Sequence, residues 1–544
     1  MKTRIYPVWV LFLGLAALLL LAAGRTPPAP AAAAAGGDYV IGSPVLTTLW
    51  VDPVYGSDDN SGGARGQALR TITAAWQRIP TGAPLTGAGY RIELVAGDYG
   101  AADFPVYWED RHGTAAFPIW LNSVDGPGAA RLHGSVNVFD VDYFYLTGLA
   151  ILNAGDVFHC EQCRYVLLRE VHLDGGDRLA HETVKVNQSA HIYIERSDIH
   201  GAGDNAVDFV AVQHGHLRNN RVYDAQDWCI YVKGGSAYIT VAGNEIFDCG
   251  VGGFTAGQGT GFEFMVEPWL HYEAYAVAAV NNVIHDTEGA GLGVNGGYHI
   301  LLAYNTLYRV GARSHVAEFV FGLRSCDGDL ERCELLRTLG GWGVAQLDHE
   351  QPIPNRGVYF LNNVIVNPTG AGSAWQHFAI HGPRTPASGS NIPAPARTDD
   401  ELVIRGNVIW NGPADHPLGV EEAAGCQPGH PTCNAGQLLG ENAINTVQPH
   451  FVNAAAGDYR LSNPAALPAP VVIPAFAAWG EFMPTVPAST LSNQVPGDRD
   501  DYARAGYDLV GAYAAAGAPP LTATPVPSPT ARASFLPWIT RPQP

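Results

Sequence analysis

One arrangement of apolar and polar positions returns along the middle of the chain. It consists of an Asn, a variable residue, a branched apolar residue, an aromatic or polar residue, and a turn. It reads Asn220-Arg221-Val222-Tyr223-Asp224, then Asn244-Glu245-Ile246-Phe247-Asp248, then Asn282-Val283-Ile284-His285-Asp286. Shorter copies follow at Asn305-Thr306-Leu307-Tyr308, Asn363-Val364-Ile365 and Asn407-Val408-Ile409. Weaker ones precede, at Val171-His172-Leu173-Asp174 and Ser197-Asp198-Ile199-His200. Asn220 and Asn244 are 24 residues apart, and Asn282 and Asn305 are 23 apart. The steps from 244 to 282, 305 to 363 and 363 to 407 are longer and call for inserted loops.

A unit of this length holds two or three short strands with their turns and cannot bury its apolar side alone. Stacking solves the problem, because each strand then pairs in parallel with its equivalents in the coils above and below. The branched residues line up inside. An Asn at a fixed turn position can bond the amide of its neighbour one coil away, giving a polar ladder. The Leu-x-x-Leu-x-Leu skeleton of leucine-rich repeats is missing, and a propeller needs about 40 residues per blade. The pattern therefore predicts an all-β parallel β-helix. Its open ends need caps. Thr71-Ile72-Thr73-Ala74-Ala75-Trp76 reads as a short helix before the repeats, and Phe451-Val452-Asn453 with Tyr459-Arg460-Leu461 follows them.

Composition agrees with many short strands and turns. Of 544 residues, 63 are Gly and 39 are Pro, and only 15% are charged. The formal net charge of −20 argues against nucleic acid as a partner, since phosphate binding needs a basic footprint. A polyanionic substrate would need a local basic patch or bound cations. Lys2 and Arg4, the apolar run Val8 to Ala23 and the Pro/Ala segment to Ala35 read as an export signal, with an uncleaved anchor as the alternative. The predicted organisation is a leader over 1–35, a β-helix domain over 38–515, and a Pro/Thr-rich tail over 516–544, either disordered or a surface-attachment signal. A secreted or cell-surface monomer is expected. The eight Cys fall at spacings that suggest the pairs Cys160–Cys163, Cys229–Cys249, Cys326–Cys333 and Cys426–Cys433, with a zinc or redox motif as the alternative at Cys160 and Cys163.

Trp50-Val51-Asp52-Pro53-Val54-Tyr55-Gly56-Ser57-Asp58-Asp59-Asn60-Ser61-Gly62, followed by Arg70-Thr71-Ile72, resembles the opening of secreted right-handed β-helix proteins of the pectate-lyase-like superfamily. Asp508-Leu509-Val510-Gly511-Ala512-Tyr513 resembles their close. The resemblance spans roughly residues 48 to 514. It implies a right-handed helix, whereas the reaction stays open because this fold carries lyases, hydrolases, epimerases and adhesins.

The sharpest candidate chemistry rests on the scarcity of Lys. After the leader only Lys185 and Lys233 occur. Counting back from the repeat sets Lys185 opposite Asp208 and brings Lys233 within one residue of the same outer column. A structural ion pair is the plain reading. The functional one is a Lys with a lowered pKa acting as general base. Elimination from a uronate needs a base for the C5 proton, a neutraliser for the carboxylate and a sugar platform. Lys233 is the candidate base, with Lys185, Asp208 and Arg324 handling charge. Asp204, Asp224 and Asp227 are candidate calcium ligands. The resemblance brings in this calcium reading, because Gly203-Asp204-Asn205 and Asp224-Ala225-Gln226-Asp227-Trp228 look like degenerate forms of the Asp stretches of a calcium-dependent pectate lyase family. In that family the Lys follows the first stretch within one coil, where this chain has Val212. Trp228 and Tyr231 beside Lys233, and Glu263, Trp269, His271 and Tyr272 on the loop after it, are candidate sugar contacts or loop packing. The expected partner is a polysaccharide containing uronate. A hydrolase using Asp204 and Asp208, or a non-catalytic glycan-binding protein, are the rival readings.

Overall fold

The computed structural model describes residues 37–345, 347, 349–420, 423–477, 493–504 and 509–514. The predicted leader and tail lie outside these residues. From Ile41 onward the chain forms one unit. Its strands pair in parallel in a long 21-stranded sheet and a second, 12-stranded sheet. Each coil supplies one strand to each of three walls. The first wall runs through Val184–Asn187, Val207–Val210, Trp228–Lys233, Gly252–Ala256, Ala290–Asn295, His315–Val320 and Gln376–Ile380. The second includes Ala190–Glu195, Gln213–Arg218 and Ser236–Ala242. The third includes His172–Asp174, Asp198–Ala202, Arg221–Ala225 and Glu245–Cys249.

The repeated motif marks the turn from second to third wall. Its branched residues Val222, Ile246, Ile284, Leu307, Ile365 and Ile409 are all fully buried in one column. Burial of such a side chain is worth about 1.5–3 kcal/mol. The Asn side chains form the expected ladder. Asn244 Oδ1 accepts the Asn220 amide at 2.9 Å, and Asn282 Oδ1 accepts that of Asn244 at 3.0 Å. Asn305, Asn363, Asn407 and Asn442 continue it. A second, shorter ladder of Asn367, Asn411 and Asn445 lies at the other end of the third-wall strand. On the outside, the aromatic positions of the motif stack. The ring centroids of His200 and Tyr223 are 4.7 Å apart, those of Tyr223 and Phe247 4.6 Å, and those of Phe247 and His285 4.8 Å.

The predicted cap helix forms at Ile72–Trp76, with the Thr71 hydroxyl accepting the Ala74 amide as N-cap. Phe451–Asn453 and Asp458–Leu461 pair as an antiparallel hairpin. All four expected disulfides are present, and among the described residues no Cys is free. The pair Cys160–Cys163 is thereby a crosslink and not a metal or dithiol site. The two larger insertions meet beside the stack. Gly259–Gly261, Gly322–Ser325 and Gln351–Ile353 form a three-stranded sheet, and the helix Leu330–Leu339 packs against it around its own apolar core. Among the described residues, no helix is long and apolar enough to cross a membrane.

Candidate active site

The first wall brings the two Lys and Asp208 together. Lys185 pairs in register with Asp208, as expected. Lys233 pairs with Val210, while Tyr231 is the residue opposite Asp208. Lys233 therefore sits two residues further along the same outer face, not in the Lys185 column. The physical reason is one extra residue in the turn at Gly234-Gly235, which lengthens the count back from Asn244. Its side chain closes the gap. Lys185 Nζ lies 2.8 Å and Lys233 Nζ 3.7 Å from the same Asp208 Oδ2. Asp208 is fully buried, and its Oδ1 has no hydrogen-bond partner.

The two ammonium groups differ in their surroundings. Lys185 Nζ also donates to Glu182 Oε1 at 2.6 Å, and Glu182 is itself buried. Burial favours the neutral amine, but Asp208 and Glu182 outweigh it and raise the Lys185 pKa above the ordinary value. Lys185 thus keeps its proton, as a charge-handling side chain or a structural ion pair does and a general base does not. Lys233 has the long contact to Asp208, and its Nζ stands 4.0 Å from the centre of the Tyr231 ring. It is the less tightly held of the two.

A second group of polar side chains lines the edge where the third wall turns into the first. His181 Nδ1 is 2.6 Å from the other Glu182 oxygen, and its Nε2 is 3.4 Å from Asp204 Oδ2. Asp227 is pushed up to about 6 by burial and by the neighbouring Asp204, with Lys233 pulling the other way. Its Oδ1 is buried without a hydrogen-bond partner. Two adjacent carboxyls raise the proton affinity of one of them, as the shift of Asp227 shows. Of the three expected ligands, Asp204 and Asp227 are the two that the fold brings together. Asp224 does not join them, because it lies on the third wall, paired with Arg178 Nε at 2.6 Å. Sequence reasoning missed Glu182 and His181. Glu182 stands three residues before a scarce Lys, and that was the available signal.

The other candidates belong to the packing. Arg324 is fully buried, and its Nη2 lies 2.8 Å from Glu273 Oε1, which is also fully buried. It is withdrawn as a charge handler, because no substrate can reach it. His271 donates through Nε2 to the Gly340 carbonyl at 2.7 Å, is 1% exposed, and is lowered to about 4 by burial. Tyr272 is fully buried, Trp269 packs against the same core, and Glu263 accepts the Asp327 amide at 2.9 Å. Glu263, His271 and Tyr272 are buried in the inserted lobe and are not sugar contacts, whereas Trp269 is only partly buried there. Trp228 is 1% exposed. Its ring lies flat over glycines: a Cβ at Gly252 would collide with it, and one at Gly293 would come within 2.9 Å. It too is unavailable for stacking on a sugar. Tyr231 is 4% exposed and serves as the floor beneath Lys233. Further along the same wall, His315 Nε2 is 3.0 Å from Glu318 Oε2, and the indole of Trp375 is 64% exposed beside them.

Residues 156–377 match the family described as right handed β-helix region. The fold is a right-handed parallel β-helix. No curated protein matches the chain. Among solved structures it is similar to the pectate lyase Pel9A, with 12% identity, a TM-score of 0.40, and coverage of 88% of this chain and 96% of that one. A rhamnogalacturonan lyase has 12% identity and a TM-score of 0.40 over 61% of this chain and 84% of its own. The A-module of the mannuronan C-5 epimerase AlgE6 from Azotobacter vinelandii has 15% identity and a TM-score of 0.37 over 61% and 87%. None of these likenesses bears on the reaction.

Proposed function

We propose that this β-helix protein is exported and cleaves uronate-containing polysaccharide by β-elimination, with Lys233 as the base. The observation that supports it is the convergence of Lys185 and Lys233 on one buried carboxylate at the outer surface of the first wall. In this reading Lys233, as the neutral amine, takes the proton from C5, a C4–C5 double bond forms, and the C4–oxygen bond breaks with the leaving oxygen taking a proton from solvent. Lys185 keeps its proton and offsets negative charge beside the bound uronate. Asp208 holds the Lys185 ammonium and the Lys233 amine in place. Asp204 and Asp227 are the residues that would hold calcium, which would neutralise the substrate carboxylate when bound. The four disulfides support an oxidising compartment.

One observation favours a second reading, hydrolysis. Asp227, held near pH 6 beside Asp204, is a carboxyl suited to donating a proton to a leaving oxygen. Here the Asp204–Asp227 pair replaces the expected Asp204–Asp208 pair, since Asp208 is committed to the two Lys. A panel of polysaccharides, assayed with and without chelator, separates the readings. Elimination yields the ultraviolet absorbance of an unsaturated product, and Lys233→Ala abolishes it. New reducing ends without that absorbance favour hydrolysis. No new ends on any glycan leave a binding protein. A fully active Lys233→Ala protein removes the proposed base.

A further inference from the structure

The third wall carries a second group of ionisable side chains, on neighbouring coils and independent of the reading above. The strand His172–Asp174 pairs with Asp198–Ala202, setting His172 against Asp198 and Asp174 against His200. One ligand-type atom from each of His172, Asp174 and His200 lies within 4.8 Å of the other two. The individual separations are informative. His200 Nδ1 is 3.8 Å from Asp174 Oδ1, its Nε2 is 3.8 Å from Asp198 Oδ1, and His172 Nδ1 is 3.6 Å from that same oxygen. All three are too long for hydrogen bonds. The His200–Asp174 separation is the one between two ligand atoms, and it is close to the spacing of two ligands on one metal, since atoms 2.0–2.1 Å from a tetrahedral ion stand about 3.4 Å apart.

The surroundings also suit an ion. The His200 ring is stacked on Tyr223 with planes 15° apart, which limits its rotation. The Tyr223 hydroxyl donates to Asp198 Oδ1 at 3.0 Å and Arg221 holds the other Asp198 oxygen at 2.9 Å, so Asp198 is an orienting neighbour. Arg178 is turned to Asp224 at 2.6 Å. Asp174 Oδ1 accepts the Gly176 amide at 2.8 Å, which orients the carboxylate beside His200. The side chains of His172, Asp174 and His200 are 41%, 33% and 17% exposed, which leaves a path for an ion.

Two imidazoles and one carboxylate suit zinc and its neighbours, not calcium or magnesium. We infer that His172, Asp174 and His200 bind a zinc-type divalent ion that clips two adjacent coils of the third wall.

The test uses the full chain, untagged and stripped of metal, titrated with zinc chloride by calorimetry and with cobalt chloride by visible absorbance. The expected result is one ion at this place, with the absorption bands of a low-coordinate cobalt centre. Asp174→Asn and His172→Ala should each weaken zinc at least tenfold, while His181→Ala, which alters the cluster of Asp156, His181 and Glu182, leaves this affinity unchanged. Asp174→Asn keeps the side-chain shape, and circular dichroism confirms that the variants remain folded. Equal zinc binding by parent, Asp174→Asn and His172→Ala, or no binding by the parent, overturns the inference.

Discussion

Two sets of opposite charges, one on the first wall and one in the inserted lobe, look alike in the sequence and differ in three dimensions. In the lobe, Arg324 and Glu273 are both sealed from solvent. On the first wall, Asp208 is sealed but the side chains of Lys185 and Lys233 remain 23% and 16% exposed. A sealed pair can only hold structure together. A buried carboxylate that holds two cations at the surface can position them for something else. The comparison teaches that the accessibility of the cation, more than its presence near an acid, separates packing from candidate chemistry.

The sharpest way to break the comparison is to remove one partner of each set. Arg324→Met leaves Glu273 charged and buried, and should cost about 3–5 kcal/mol in a denaturant titration. The double variant with Glu273→Met should recover only part of that loss, because Glu273 Oε2 also accepts the Gly234 amide and the Thr260 hydroxyl. An unchanged midpoint in Arg324→Met would mean that the lobe pair is not structural. Lys233→Ala should do the reverse: a loss of about 10²–10⁴-fold in turnover on the substrate found by the panel, with stability changed by less than about 1 kcal/mol. Asn282→Ala, a rung far from both sets, should cost about 1–3 kcal/mol by orphaning the Asn244 amide, with turnover intact.

The smallest effect concerns pH. Asp227 rises from the ordinary 3.8 to about 6, so the folded protein favours its protonated form. That favourable contribution is complete below about pH 4 and is lost as pH rises through 6. Asp227→Asn should therefore be more stable than the parent at pH 7–8, by about 1 kcal/mol after allowance for solvent screening, and equal to it near pH 4. Calcium bound at Asp204 and Asp227 should shrink the difference at pH 7–8. Thermal melts at the two pH values, with and without calcium, measure both effects.

The elements legible from the sequence were those governed by local or periodic rules. The Asn and branched positions recur at each coil, so the ladder and the buried column could be read directly. The four disulfides join residues close in sequence or one coil apart. Lys185 and Asp208 followed from the same count. Lys233 did not, because one added residue in a glycine turn shifts a side chain along its strand without breaking the motif. Arg324 was misread for a different reason. Its partner Glu273 lies on another insertion, where no period relates the two positions. Glu263, His271 and Tyr272 failed likewise, since aromatic and acidic residues on a loop look the same whether they face water or a second core. The shorter ladder of Asn367 and Asn411 was available, because the two are 44 residues apart, the same step that separates Asn363 from Asn407.

That main ladder has a consequence for how such a molecule can change. Its rungs are separated by 24, 38, 23, 58, 44 and 35 residues, yet each donor–acceptor distance stays between 2.9 and 3.1 Å. Axial pitch is thus decoupled from chain length. New sequence can enter at a bend and leave again without shifting the floors above it, so surface decoration and internal scaffold are free to evolve on separate accounts.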